Sequence, residues 1–105
     1  MIRYEGLTTS ANSTAWEVLR VSDVTITLTG TQGGSTVTLQ QYLDGAWSSF
    51  LTPDSTGTVG AVTMTEVQTK LLSSLPTGRY RLACTGGTSV DLDVFVKGRY
   101  VAPIA

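Results

Sequence analysis

Histidine is missing from this chain of 105 residues, and cysteine occurs once, at Cys84. Without histidine there is no Ser-His or Cys-His pair for nucleophilic catalysis, and a zinc site lacks its ordinary nitrogen ligands. A lone cysteine excludes an intrachain disulfide. Cys84 shares its side of an alternating pattern with Tyr80 and Leu82, so it reads as a small core residue rather than a reactive thiol. Charge is also scarce. Asp, Glu, Lys and Arg make up 14% of the chain, against roughly 25% in an ordinary soluble protein, which leaves sheet surfaces and edges open to another chain. The formal net charge of -1 gives no basic footprint for nucleic acid or an anionic membrane, and neither is an expected partner. No apolar run approaches the roughly 20 residues of a membrane span. The opening Met1-Ile2-Arg3-Tyr4-Glu5 lacks the apolar core of a secretion signal, so synthesis and use without Sec export is expected.

What the chain does contain is a two-residue rhythm written in threonine. Val24, Ile26 and Leu28 alternate with Thr25, Thr27 and Thr29, and Val37 and Leu39 alternate with Thr36 and Thr38. This is the pattern of a half-buried β-sheet. Strands are predicted over 15–21, 23–29, 35–43, 59–62, 79–85 and 89–97, punctuated by glycine-rich and proline-bearing turns. The core expected from the alternation is Val24, Ile26, Leu28, Val37, Leu39, Phe50, Tyr80, Leu82, Val90, Leu92 and Val94.

Between Leu43 and Ala46, Asp44-Gly45 is the strongest hairpin signal, because a type I′ turn needs positive φ at both central residues. A two-residue loop sets Tyr42 opposite Trp47 and places this aromatic pair on the outer face. Further on, Thr63-Met64-Thr65-Glu66 matches a capping box, and Val67, Leu71 and Leu75 continue at helical spacing, predicting a short helix over 64–73. Ala61-Val62-Thr63-Met64 also alternates, so a strand with Val62 and Met64 inward is the competing reading. Residues 1–14 show no period and only Ile2, Tyr4 and Leu7 as anchors. They are expected to form an N-terminal arm lying along a neighbouring subunit, ahead of a single domain over 15–105. The fold expected is all-β, a single β-sandwich of jelly-roll or immunoglobulin-like type with about seven to eight strands and one short helix.

No constellation of side chains suggests catalysis or a cofactor. Asp91 and Asp93 fall on the outer side of the last long strand, and Arg79 and Arg81 on the outer side of the strand before it, so a cross-strand pair between Arg81 and one of these carboxylates is expected. Asp54, Ser55 and Thr56 offer oxygens to calcium, but one carboxylate is a weak ligand set. Tyr42 and Trp47 could form a flat platform for a glycan or be covered by a neighbouring subunit, and the absence of accompanying Asn, Asp and Gln favours the second.

The run Leu75-Pro76-Thr77-Gly78-Arg79-Tyr80-Arg81-Leu82 resembles the turn into a strand of immunoglobulin-like and fibronectin-like sandwiches, which implies a tyrosine that hydrogen-bonds back across the turn. Leu82 stands where an antibody domain would have a cysteine. More broadly, the order of Gly33-Gly34-Ser35-Thr36-Val37-Thr38-Leu39-Gln40, Asp44-Gly45-Ala46-Trp47, Leu75 to Leu82 and Thr85-Gly86-Gly87-Thr88-Ser89 resembles small virion proteins of tailed bacteriophages. That resemblance implies a non-enzymatic capsid decoration or cement protein, assembled in the host cytoplasm into the virion, commonly as a homotrimer bound to the major capsid protein or other virion proteins. Its working residues would be interface residues: Ile2, Tyr4, Tyr42, Trp47 and Phe95. A carbohydrate-binding module of a fibre and a head-to-tail connector are the other readings left open.

Overall fold

The computed structural model describes residues 1–53 and 55–104 of the chain. Among these residues twelve strands follow one another: β1 (Ile2–Leu7), β2 (Trp16–Val18), β3 (Ser22–Thr31), β4 (Thr36–Leu43), β5 (Ala46–Ser49), β6 (Leu51–Pro53), β7 (Val59–Ala61), β8 (Thr63–Met64), β9 (Thr69–Leu75), β10 (Gly78–Thr85), β11 (Asp91–Gly98) and β12 (Val101–Pro103). They make one sheet in the order β1-β11-β3-β9 and a second in the order β12-β2-β10-β4-β5, with β8 beside β4, while β6 and β7 form a separate hairpin. Every pairing is antiparallel.

The alternation decides which side of each strand is buried. Val24, Ile26 and Leu28 of β3 and Leu92, Val94 and Val96 of β11 turn inward from the first sheet, and Val37, Leu39, Tyr80, Leu82 and Cys84 turn inward from the second. Both sets join one apolar cluster. Of the expected core only Phe50 is partly exposed, and it packs against that cluster. The cluster also takes in Leu7, Trp16, Val18, Met64 and Leu75. Cys84 is buried and unpaired.

Three expectations are corrected. Among the described residues there is no helix. The 64–73 segment is β8 and β9, with Val62 and Met64 buried, as in the competing strand reading. Met64 sits opposite Val37, and Thr69 to Leu72 pair with β3, so two different sheets divide the run that the capping-box pattern treats as one helix. Strands are also shorter and more numerous than predicted, because β5 to β8 are each four residues or fewer.

The third correction concerns the first 14 residues, which are no arm without a core of its own. Ile2, Arg3 and Tyr4 pair with Val96, Phe95 and Val94, and Leu7 is fully buried. The chain then crosses to the second sheet. Ser10 N–H donates to the Cys84 carbonyl at 2.9 Å, Cys84 N–H to Ala11, and Ser13 N–H to Leu82 at 2.8 Å, while the Ser13 hydroxyl accepts from Leu82 N–H at 2.9 Å. This segment continues the edge of β10 beyond the point where β2 leaves it and ties the two sheets together.

Tyr80 occupies the centre of the second sheet. Its ring stacks on Trp16 at 5.2 Å and meets Phe50 edge-on at 5.7 Å. Its hydroxyl donates to the Pro76 carbonyl at 2.7 Å and accepts from Gln41 Nε2 at 3.3 Å. The hydrogen bond back across the turn implied by the resemblance to immunoglobulin-like corners is therefore present. Burial pushes the phenol pKa up from 10.0 to about 12.

At the far end of the molecule two glycine-bearing loops meet backbone to backbone. Thr88 N–H donates to the Gly33 carbonyl at 2.9 Å, Gly33 has a φ of 59°, and a Cβ there would overlap the Thr88 carbonyl oxygen. Gln32 and Ser35 brace this corner. The Gln32 amide donates to the Ser35 and Met64 carbonyls at 3.1 and 3.3 Å, and the Ser35 hydroxyl donates to the Gln32 carbonyl at 2.7 Å.

These contacts generate two predictions. Tyr80→Phe keeps the ring and removes the hydroxyl, and should cost about 1–2 kcal/mol in denaturant unfolding near neutral pH. In the wild type the phenol is harder to ionise folded than unfolded. Its stabilisation is therefore whole below pH 10.0 and is lost as pH climbs toward about 12, at up to about 1.4 kcal/mol per pH unit. Tyr80→Phe should lack that component of the alkaline loss, and identical slopes for the two proteins would show that Tyr80 ionises as readily folded as unfolded. Second, Gly33→Ala should destabilise by about 2 kcal/mol or more, through positive φ and overlap together. Gly34→Ala, where φ is also positive but the space is open, should lose only about 1 kcal/mol; equal melting temperatures for the two variants would contradict the packing of these loops.

Candidate functional site

Surface geometry starts from the β4–β5 turn. Asp44 and Gly45 have φ of 49° and 84°, the left-handed pair that a type I′ turn requires. The register follows as the sequence predicts: Leu43 opposite Ala46, Tyr42 opposite Trp47 and Gln41 opposite Ser48. Because Val37 and Leu39 face the core, Tyr42, an odd number of positions beyond each, faces out with its partner Trp47.

The two rings lie 5.3 Å apart at an interplanar angle of 63°, edge to face. They do not form the flat platform considered for a glycan. One face of the Trp47 indole is taken by Arg81, whose guanidinium carbon lies 4.5 Å from the ring centroid. Arg81 is aimed by Gln40, whose side-chain oxygen accepts from Arg81 Nε at 2.7 Å. The result is a fixed patch of Tyr42, Trp47, Arg81 and Gln40 on the outer face of the second sheet, with Tyr42 itself exposed and Leu43 exposed next to it in sequence.

The expected pair between Arg81 and Asp91 or Asp93 does not form. The strands β10 and β11 belong to different sheets, so the Gly86–Val90 connection arches over the core instead of closing a hairpin. Arg81 turns to Trp47, and Asp93 accepts from the Gly6 backbone N–H at 3.3 Å. Arg3–Glu5 on β1 is the one ion pair among the described residues.

The remaining interface candidates are spread apart. Phe95 lies on the outer face of the other sheet, with the Arg3 guanidinium 5.4 Å from its ring centroid. Ile2 and Tyr4 turn toward the interior and pack, half-buried, against the core. Sequence reasoning missed Arg81 as part of the aromatic patch and assigned it to the carboxylates. It also missed a second cation–aromatic group at the β11–β12 turn, where Arg20 and Arg99 approach the Tyr100 ring at 5.3 and 5.7 Å. Adjacency in Gly98-Arg99-Tyr100 was its available signal.

A concavity of about 770 Å³ lies between the β6–β7 hairpin and β9, lined by Phe50, Leu51, Pro53, Val62, Leu71 and Leu75 among others. Lys70 is the one charged side chain in its described lining. Among the described residues no three of Cys, Asp and Glu gather to hold a metal ion. The calcium reading rested on Asp54, which lies outside the described residues. No family model matches the chain, and no curated protein or solved structure matches it either.

Proposed function

We propose that this chain is a non-enzymatic structural subunit of a tailed-phage virion, a capsid decoration or cement protein that acts as a homotrimer on the head surface, its two sheets packed as a β-sandwich. The observation that carries the reading is the Tyr42–Trp47 pair, held outward by the Asp44–Gly45 turn and fixed by Arg81 and Gln40. Aromatic side chains with an arginine, immobilised before contact, are what protein interfaces concentrate at their energetic centres. The surroundings support the same reading. Thr25, Thr27 and Thr69 spend their hydroxyls on neighbours within the sheet, as in the 2.9 Å contact between Thr27 and Thr69. Such a surface offers few charges and no concentrated chemistry, and suits a protein that covers and is covered. Edge-to-face rings with one indole face already occupied disfavour the glycan reading. The contact is assigned to Tyr42, Trp47 and Arg81. Phe95 with Arg3 is a separate aromatic patch on the other sheet.

Trp47→Ala should leave the β-sheet circular dichroism spectrum unchanged and lower unfolding stability by about 1 kcal/mol. It should weaken self-association or attachment to empty heads by at least about tenfold, as loss of an interface anchor does. Equal co-sedimentation of wild type and variant with heads would count against this contact. A wild-type chain that light scattering shows as a monomer at high concentration, without affinity for heads, would overturn the function. Quenching of Trp47 fluorescence by oligosaccharides would instead favour the carbohydrate-binding reading.

A further inference from the structure

The strand registers sort the few charges by end. β3 and β11 run antiparallel, with Asp91 opposite Thr31 and Gly98 opposite Val24. One end of the molecule therefore carries the turns that contain residues 19–21, 76–77 and 99–100, and the other carries residues 30–34, 63–67 and 86–90. Arg20, Arg79, Arg81, Lys97 and Arg99 all lie toward the first end, five of the seven cations in the chain. Glu17, Asp23 and Asp44 lie there too, and Asp23 is occupied in accepting from Ser74 N–H at 2.9 Å. At the opposite end are Glu5, Glu66, Asp91 and Asp93: Gly6, the neighbour of Glu5, bonds to Asp93, and Glu66 lies between Met64, bonded to Gln32, and Gln68, bonded to Leu28. The other two cations, Arg3 and Lys70, have backbones level with Phe95 and Ile26, near the middle, and reach toward the acidic end, where Arg3 pairs with Glu5 and Lys70 Nζ donates to the Thr63 carbonyl at 3.2 Å, so that Glu66, Asp91 and Asp93 are the carboxylates left without an ion pair there among the described residues.

Among the described residues none of the five end cations is ion-paired. Leu19 and Val21, 56% and 61% exposed, flank Arg20, and the Arg20–Tyr100–Arg99 stack holds two guanidinium groups at the tip. Val67, also exposed, sits beside Glu66 at the acidic end. We propose that the basic tip docks on the acidic end of a second copy of this chain, head to tail, with Arg20 and Arg99 meeting Glu66 and Asp91 and with Leu19 and Val21 covering Val67. Arg20 and Arg99 at one end and Glu66 and Asp91 at the other, in no ion pair among the described residues and each set beside an exposed aliphatic side chain, fit each other and repel their own kind. Such a contact is heterologous, and three of them close a ring if each turns the chain by a third of a revolution. The inference rests on the self-association in the function proposed above and is independent of the virion.

The test is sedimentation of the full chain with charge-swapped partners. Raising salt from about 0.02 M to about 0.5 M should weaken wild-type association about tenfold or more, because exposed pairs are screened. The double variants Arg20→Glu/Arg99→Glu and Glu66→Lys/Asp91→Lys should each sediment as monomers with unchanged circular dichroism, and an equimolar mixture of the two should associate again. Restoration in the mixture supports the head-to-tail contact even if one variant alone is less stable. A monomeric wild type at low salt, or variants that both associate like the wild type, overturns it. So does a mixture of folded variants that stays monomeric. Trp47→Ala and binding to empty heads, measured in parallel, report on the function proposed above. Loss of association in Trp47→Ala with no effect of the charge swaps overturns the head-to-tail contact alone, whereas working charge swaps with no head binding leave it standing and remove the virion role.

Discussion

The buried phenol of Tyr80 is the constraint around which the second sheet is organised. Its ring is clamped between Trp16 of β2 and Phe50 after β5, and its hydroxyl reaches the Pro76 carbonyl before its own strand begins. One side chain thus ties β2 and the residue after β5 to the turn that starts its own strand, β10. The chemistry is demanding because the ring must be dry while the hydroxyl must be paired. A buried hydroxyl without a partner costs on the order of 1–3 kcal/mol. Pro76 meets that demand through its carbonyl, and Gln41 adds a second hydrogen bond from β4, the strand that bears Tyr42 one residue later. Packing at the centre is thereby coupled to the orientation of the surface hairpin.

Much of this architecture was legible wherever the information is local. The inward faces of β3, β4 and β11 follow from strict alternation, and the β4–β5 register follows from Asp44-Gly45, since a two-residue turn leaves no freedom to slip. The helix expected over 64–73 failed for a physical reason. Its capping pattern is worth about 1 kcal/mol, whereas burying Met64 and Leu72 between sheets is worth about 1.5–3 kcal/mol each. Pairing with β4 and β3 therefore outweighs local preference. The first 14 residues looked structureless because their anchors are few and irregularly spaced. Leu7 enters the core only because a shift in register between Tyr4 and Leu7 turns it inward, and a shift of that kind leaves no periodic trace.

The candidate site was legible to the same extent and no further. Turn chemistry alone set Tyr42 and Trp47 outside, but the partner of Arg81 depended on topology. Gly86-Gly87-Thr88-Ser89 has the composition of a hairpin turn, and strands on either side of a hairpin would have matched arginines with aspartates. The same residues serve equally well in an arch between sheets, because glycine permits both paths. Once β11 crosses to the other sheet, the carboxylates are out of reach and the Trp47 ring is the attraction left to Arg81.

Scarcity of charge gives the distribution of the few charges more weight than it would have elsewhere. On a surface with many intermixed ions, opposite signs cancel within a Debye length of about 8–10 Å, and no end acquires a character of its own. Here threonine and serine separate the ions, and Arg3–Glu5 is the one described pair that cancels directly. The cations left near the residue 19–21 and 98–100 turns therefore act together, as do the carboxylates near the residue 30–34 and 63–67 turns. Tyr42, Trp47 and Arg81 belong to the cationic end, because Gln41 of β4 lies opposite Tyr80 near the start of β10. The aromatic hairpin and the Arg20–Tyr100–Arg99 tip thus point the same way along the molecule. A neighbour approaching with an acidic surface would be attracted by the tip and oriented before it reached the hairpin, so charge would govern the encounter while the aromatic rings held the final contact.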